Sequence, residues 1–440
     1  MHPPVRLCHP APVSNPTKPP ALSDFWSALP REGRLLLSVV AFQFIGTGLV
    51  LPFWVVYLHE VRHFPVSTVG LLLGWLSLGA MIATVPGGVL IDHIGPRKVM
   101  VAAGVATSVG QALMAFATSV PIAVVGLGLV GMSFGVSWPA SQAFVSAVIP
   151  EELRQRFFGL NFALLNLGIG VGGVLGGFIA DVHRPQTFVL MYLWEAASYW
   201  PEILLLLIPL RHVGGRVPHP EGEHAVAPSY WQVIKRPAVL SLIGINFMAA
   251  FVGYGQINSG AAAYARLIGH VSTRGLGLAF AVNTVAIVVL QLIVLRRIEG
   301  MRRTRLVVAL SMIWAVAWLV LSASSLVPKT LGATVLVAAF MGVFALGETL
   351  LQPTVPAMVN AMAPDHLRGR YNGICSASFQ FASVVAPIAA GFLIDHDLGW
   401  AYIASLVAGC LLMAVFSVVS LEPRLTPAAN GLLTPADTPR

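Results

Sequence analysis

The chain has 440 residues, 56% of them hydrophobic and only 10% charged, with a mean hydropathy of +0.79. No soluble core of that length could hide so much apolar surface, which argues against a soluble enzyme, a nucleic-acid binder or a fibrous protein; at about 20 apolar residues per crossing there is room for roughly a dozen membrane spans. The net charge of +8 is spread over loops without a basic stripe, and Cys8, Cys375 and Cys410 show neither paired nor metal-ligand spacing.

Residues 1–32 carry Pro3, Pro4, Pro10, Pro12, Pro16, Pro19, Pro20 and Pro30, too much proline for a helix, and predict a disordered cytoplasmic tail. Apolar segments then fall at about 35–58, 67–91, 98–118, 122–149, 157–180 and 186–210, and again at about 237–260, 274–295, 305–327, 331–361, 371–394 and 399–421. The polar, proline-containing stretch 211–236 is the only long interruption. The expectation is an all-α membrane protein of twelve transmembrane helices: an N-terminal six-helix bundle (33–210), a cytoplasmic linker (211–236), a C-terminal six-helix bundle (237–421) and a second disordered cytoplasmic tail (422–440).

Lysine and arginine favour the cytoplasmic side of short loops. With the N-terminus inside, 21 of the cations fall on the inner face and 5, namely Arg62, Arg184, Arg266, Arg274 and Lys329, on the outer. A multi-pass protein of the cell membrane with both termini cytoplasmic follows.

The two halves repeat. Pro150 to Asp181 aligns without a gap onto Pro364 to Asp395 at an offset of 214, with 10 of 32 positions identical, among them Arg154 with Arg368, Gly159 with Gly373 and Asp181 with Asp395. Pro139 and Pro353 keep that offset, and at an offset of 205 Val66 to Leu71 matches Val271 to Leu276. Parallel repeats of six helices are a transporter architecture.

Span two ends in Gly88-Val-Leu90-Ile-Asp92-His-Ile-Gly95-Pro96-Arg97-Lys98. Gly88 is placed to let a neighbouring helix approach, Asp92 to hold a charge partner, Gly95 to make a tight turn that Pro96 stiffens, and Arg97 and Lys98 to meet lipid head groups and acidic residues. The string resembles the signature cytoplasmic loop of the major facilitator superfamily, G-x-L-x-D-x-x-G-x-R-[RK]. That resemblance implies two bundles rocking about a cavity lined by spans one, four, seven and ten, with Asp92 bonding the next helices outward-open and releasing them inward-open; a plain basic turn that only sets topology is the alternative. The counterpart between spans eight and nine, Arg296 to Arg303, keeps the glycine and bases but has Arg297 where the aspartate belongs, so its gating should be wired differently.

In span five, Gly159, Gly168, Gly172, Gly173, Gly176 and Gly177 reproduce the glycine spacing of the superfamily's antiporter branch, with Gly173 in place of that motif's proline. Such a helix either presses the bundles together against proton leak or simply packs closely. The fourth span lacks the arginine that drug/proton antiporters usually carry there.

Only Glu195, Glu202 and Glu348 among the acidic residues fall within spans. A charge at mid-bilayer costs about 2.5 kcal/mol or more, so such groups face cavities or stay protonated. Glu348, in span ten, reads as the carrier of a coupling proton, a contact for a cationic substrate, or a structural hydrogen bond. Glu195 and Glu202, seven apart, should stack two turns apart on one face of span six, as a relay or a structural pair, with Pro201 between them. Gln43, Trp138, Asn246, Tyr254, Gln256 and Asn258, among Phe42, Phe53, Trp54, Phe247 and Phe251, suggest a mostly apolar chamber for amphipathic molecules. The expected function is proton-driven efflux of hydrophobic or cationic small molecules by a monomer in contact with membrane lipids, powered by the proton gradient, with no cofactor, metal or nucleic acid. A carrier for one metabolite and a transport-inactive sensor or assembly factor are the alternatives.

Overall fold

With no water in the hydrocarbon to satisfy a bare amide, an apolar chain crosses a membrane only as a helix or a closed barrel. The computed structural model describes residues 22–213, 230–298, 300–363 and 368–432, and these are helices and turns with no strand among them. Spans one to five are Arg31–Val50, Val66–Ile94, Pro96–Ala115, Val120–Val148 and Glu151–Ile179. Spans eight to twelve are Thr273–Ile298, Arg303–Ala323, Leu331–Met362, Arg368–Asp395 and Gly399–Phe416. Together with span seven, 11 stretches among the described residues are long and apolar enough to cross a bilayer.

The twelfth, span six, is broken into Pro185–Ser198 and Trp200–Leu207. Pro201 causes the break, because it offers no N–H to the carbonyl of Ala197. That carbonyl accepts instead from the N–H of Tyr199, and Ser108 of span three donates to the carbonyl of Ala196 at 2.8 Å. Span seven is interrupted too: Pro237–Ala249 passes into a wide π turn over Ala250–Tyr254, then Gly255–Ile257, Gly260–Ala263 and a second π turn, Tyr264–Ile268.

The halves meet along two seams, span two against eleven and span five against eight. The glycines of span five divide between two neighbours. Gly168, Gly172 and Gly176 lie on span one, where a Cβ at Gly168 would stand 2.6 Å from the carbonyl oxygen of Ala41 and one at Gly172 would overlap that of Ile45. Gly177 faces span eight, where a Cβ would stand 3.2 Å from the Cα of Gly277, and its repeat mate Gly391 faces span two, where a Cβ would stand 2.9 Å from the Cα of Gly70. Gly173 has ordinary contact distances to Pro52 and Phe280 (3.8 and 3.9 Å), and Gly159 has nothing within 4 Å. The motif therefore mixes close packing inside one bundle with close packing between bundles, and two of its six glycines are not required by space.

Both tails begin later than expected. Leu22–Ala28 is a helix, because Phe25 and Leu29 bury themselves among Leu36, Leu37 and Phe157; residues 1–21 lie outside the described ones. At the other end, 422–432 is ordered against span nine, with Ala429 and Asn430 buried, and 433–440 lie outside. Of the linker, 214–229 lie outside the described residues, and Tyr230–Ile234 is already helical.

Replacing Gly172 with leucine should cost about 1–3 kcal/mol through the clash with the backbone of span one, read as a lower thermal midpoint of the purified protein. Gly159→Ala, in open space on a helix, should hold or raise that midpoint.

Candidate functional site

Glu348 lies in span ten, buried to 6% exposure. Asn283 of span eight donates to its Oε2 at 2.7 Å, and the hydroxyl of Tyr254 in span seven is its second hydrogen-bond partner. Gln352, one turn further along span ten, donates to the Tyr254 hydroxyl at 2.8 Å. Four side chains from three spans thus form one polar chain. The π turn at Ala250–Tyr254 puts Tyr254 in place, as such turns often do at functional positions. Span nine supports it: Trp318 donates to the carbonyl of Val252 within that turn at 2.9 Å. Trp314 wedges against Gly253 and Gly347, the residues just before Tyr254 and Glu348, where a Cβ on either would overlap the indole.

Tyr254 lines two adjoining cavities. One, of about 330 Å³, lies within the C-terminal half among Asn246, Gln352, Asn372 and Gln380. The other, of about 340 Å³, lies between the halves, with Trp54, Leu73 and Phe134 on one side and Asn258 and Gln380 on the other. Glu348 is on neither wall. Tyr254 stands between it and the open space.

In the N-terminal half the break in span six separates the two glutamates. Glu195 is fully buried, and its Oε1 accepts from Thr47 of span one at 3.1 Å and from Tyr199 at 3.5 Å. Glu202, beyond the break, is on the wall of a cavity of about 320 Å³ with Gln43, Thr47, Trp138 and Tyr199, where Gln43 bonds its carboxyl. Both carboxyls thus meet span one, a turn apart at Thr47 and Gln43: Glu195 packs into the joint and Glu202 lies on the cavity wall.

Of the other candidate cavity residues, Gln43 and Trp138 line the N-terminal cavity and Asn246 and Tyr254 the C-terminal one. Gln256 does not line them. It is 1% exposed, donates to the carbonyl of Ala386 at 3.3 Å and accepts from the hydroxyl of Tyr402 at 3.1 Å, a strut between helices. Phe42 points out of the bundle onto Trp194, and Phe247 lines an apolar crevice of about 1210 Å³ between span two and spans seven, eleven and twelve. Sequence reasoning missed Asn283 and the face of span eleven carrying Asn372 and Gln380. A lone amide in the apolar middle of span eight was the available signal for Asn283.

The Major Facilitator Superfamily model matches residues 36–347 and again 269–437. The chain belongs to the Major Facilitator Superfamily. It is 25% identical to the uncharacterized MFS-type transporter YttB of Bacillus subtilis (strain 168) over 407 residues, 91% of this chain and 97% of that one. It is 26% identical to the quinolone resistance protein NorA of Staphylococcus aureus over 208 residues, 47% of this chain and 53% of that one, so that match spans about half of each. Among solved structures, a peptide transporter of the POT family superposes with a TM-score of 0.74 at 12% identity, covering 91% of this chain and 98% of that one. A D-xylose-proton symporter gives 0.71 at 15%, covering 89% and 98%. These likenesses carry the fold alone. The protein is a multi-span membrane transporter.

The superfamily's signature loop forms as a turn at Gly95, with φ of +89°, and Pro96 opening span three. Arg97 donates to the carbonyl of Leu206 at the end of span six at 3.1 Å, and Lys98 is exposed. Gly88 has nothing within 4 Å. The close neighbour expected for it belongs to Gly87, where a Cβ would overlap Val136 of span four. The side chain of Asp92 lies outside the described residues. In the second loop, Arg302 and Arg305 both reach Glu422 beyond span twelve (3.0 and 3.3 Å), and Asn430 accepts the N–H of Thr304 at 3.0 Å. Arg297 stands at the motif's carboxylate position in that loop, and Glu422, from the chain after span twelve, is the acid that meets Arg302 and Arg305.

Among the described residues, the hydrogen bonds that join the halves sit at the opposite end, away from the chain termini. Glu60, beyond span one, takes both prongs of the Arg266 guanidinium from span seven. Asp395 accepts the N–H of Val66 at 3.2 Å, and Thr273 donates to the carbonyl of Ala180 at 2.9 Å. With Glu60 and Arg266 only 22% and 11% exposed, the pair is less screened than a surface one. Glu60→Gln should shift the balance between open and closed forms of this end by about tenfold toward open. Spin labels at Arg184→Cys and Lys329→Cys would report it as a longer distance between the halves.

Proposed function

We propose that this transporter exports hydrophobic or cationic small molecules in exchange for protons, as a monomer in the cell membrane with both termini in the cytoplasm and the proton gradient as its energy source. The reading rests on Glu348, a carboxyl in a membrane span, held between Asn283 and Tyr254 and screened from the cavity by Tyr254. An uncompensated charge at that depth costs about 2.5–3.5 kcal/mol, so its protonation state is tied to how its two partners are arranged. Tyr254 couples that arrangement to the cavity, since a molecule pressing on the tyrosine also presses on the hydrogen bonds of Glu348.

The cycle follows from the two ends. In the form described here the halves are bonded at the end that the cation count puts outside, which suits the loading form of an exporter. Once the outer end opens, a proton reaching Glu348 through Tyr254 weakens the hold on the substrate; after the return rocking the proton leaves inward. The quinolone resistance named in NorA supports a drug-like substrate through the half of the chain that matches it. The apolar lining of Trp54, Leu73, Phe134 and Phe379 around a few amides suits amphipathic molecules better than sugars.

The test is dye flux into inverted vesicles carrying an imposed pH gradient. Flux should follow the gradient in wild type and fall about tenfold or more in Glu348→Gln. Equal flux with the gradient collapsed would remove proton exchange, and full flux in Glu348→Gln would remove that residue from the mechanism.

A further inference from the structure

The polar chain at Glu348 leaves the carboxyl of Glu202 unused. Glu202 belongs to a different space, the cavity of about 320 Å³ enclosed by spans one, three, four, five and six of the N-terminal half. Its wall combines one carboxyl with the aromatic rings of Trp138, Tyr199, Phe134 and Phe44, and no lysine, arginine or histidine is among the lining residues. The break at Pro201 turns Glu202 onto that wall, and Gln43 holds its carboxyl in place. Behind the wall Glu195 fixes Tyr199 and Thr47, two further lining residues, through its Oε1. A carboxyl among aromatic faces with no neighbouring cation is the chemistry that recognises a positive charge on an apolar body. The two cavities that Tyr254 lines have no carboxyl, lysine, arginine or histidine on their walls. Phe134 lines both this space and the cavity between the halves.

We propose that this alcove binds an aromatic or amphipathic molecule carrying a single positive charge, and that Glu202 is the residue that reads the charge, separate from the group that carries the proton. The proposal uses the export reading only for the direction in which the bound molecule moves; binding stands without it.

The experiment measures equilibrium binding to the purified full chain in detergent, with tetraphenylphosphonium as the cation and triphenylphosphine oxide as its uncharged relative. Glu202→Gln should weaken tetraphenylphosphonium binding about tenfold or more and leave triphenylphosphine oxide within about twofold. Glu202→Asp should keep the cation, Trp138→Ala should weaken both probes, and Glu348→Gln should still bind the cation. Thermal midpoints establish that each variant is folded. Should Glu202→Gln not fold, peptide-resolved alkylation of Ser141→Cys, on the same wall, serves instead: tetraphenylphosphonium should slow it severalfold.

A folded Glu202→Gln that binds the cation as wild type does, an equal loss of both probes in it, absence of cation binding by wild type, or alkylation indifferent to the cation would each overturn the proposal. Cation binding that depends on Glu202 in a protein showing no gradient-driven flux would keep this site and remove the export reading. Gradient-driven flux with cation binding indifferent to Glu202 would do the reverse.

Discussion

A carbonyl released from its helix inside a bilayer has no water to bond, so a break in a span survives only where a neighbouring helix supplies the donor. The functional geometry of this transporter depends on two such breaks. In span six, Pro201 strips the carbonyl of Ala197 of its usual partner, and the loss is absorbed by the N–H of Tyr199 and by Ser108, which reaches over from span three to the carbonyl of Ala196. Trp200, first residue after the break, then donates to the oxygen of Ser108 at 3.1 Å. In span seven the π turn over Ala250–Tyr254 is anchored by Trp318. Each break re-aims one side chain: Glu202 onto the wall of the N-terminal cavity, Tyr254 between the C-terminal cavity and Glu348.

The seams between the halves follow another constraint, close backbone approach. Gly177 with Gly277, and Gly391 with Gly70, allow two pairs of helices to touch without side chains between them. Helices in such contact can pivot with little interlocking to undo. What fixes the angle of the pivot is the polar contact at its ends. Glu60 with Arg266 and Asp395 with Val66 hold the halves together at one end. At the other, Arg97 is tied to span six and Arg302 to Glu422, each within its own half.

Much of the scaffold is legible in the chain itself. Apolar length sets the spans, the cation bias pairs their ends, and the offsets between Asp181 and Asp395 or between Val66 and Val271 expose the repeat. Glu348 and Tyr254 stand out because so few polar groups lie within the spans. What stays hidden is whatever depends on rotation about a helix axis or on a partner remote in sequence. Proline at 201 shows that span six is interrupted, yet not that Ser108, in another helix, bonds the carbonyl of Ala196 at the break. Gln256 has the same composition signal as Asn246, and only the approach of Tyr402 and Ala386 makes it a strut. Asn283 and Glu348 are 65 positions apart, beyond the reach of any spacing rule. The ordered segment to Leu432 escaped notice because turn-forming prolines and small residues look alike whether a segment is free or lies in a groove.

The repeat makes the placement of the carboxyls more informative than either site by itself. At the offset that carries Asp181 onto Asp395, Glu348 corresponds to Phe134 and Glu202 to Phe416. Each half has thus kept the helix that bears the other's acidic group while holding a phenylalanine in its place, so neither carboxyl is a relic shared by the duplication. Two carboxyls at equivalent positions would face each other across the pseudo-twofold axis and would raise the cost of ionising either one. Set in different helices of different halves, and each with its own amide partner, Gln43 or Asn283, they are free to change state one at a time. Phe134, which replaces the acid in span four, lines both the N-terminal cavity and the space between the halves. The loss of symmetry therefore does more than separate two charges: it puts an apolar ring on the walls of both spaces.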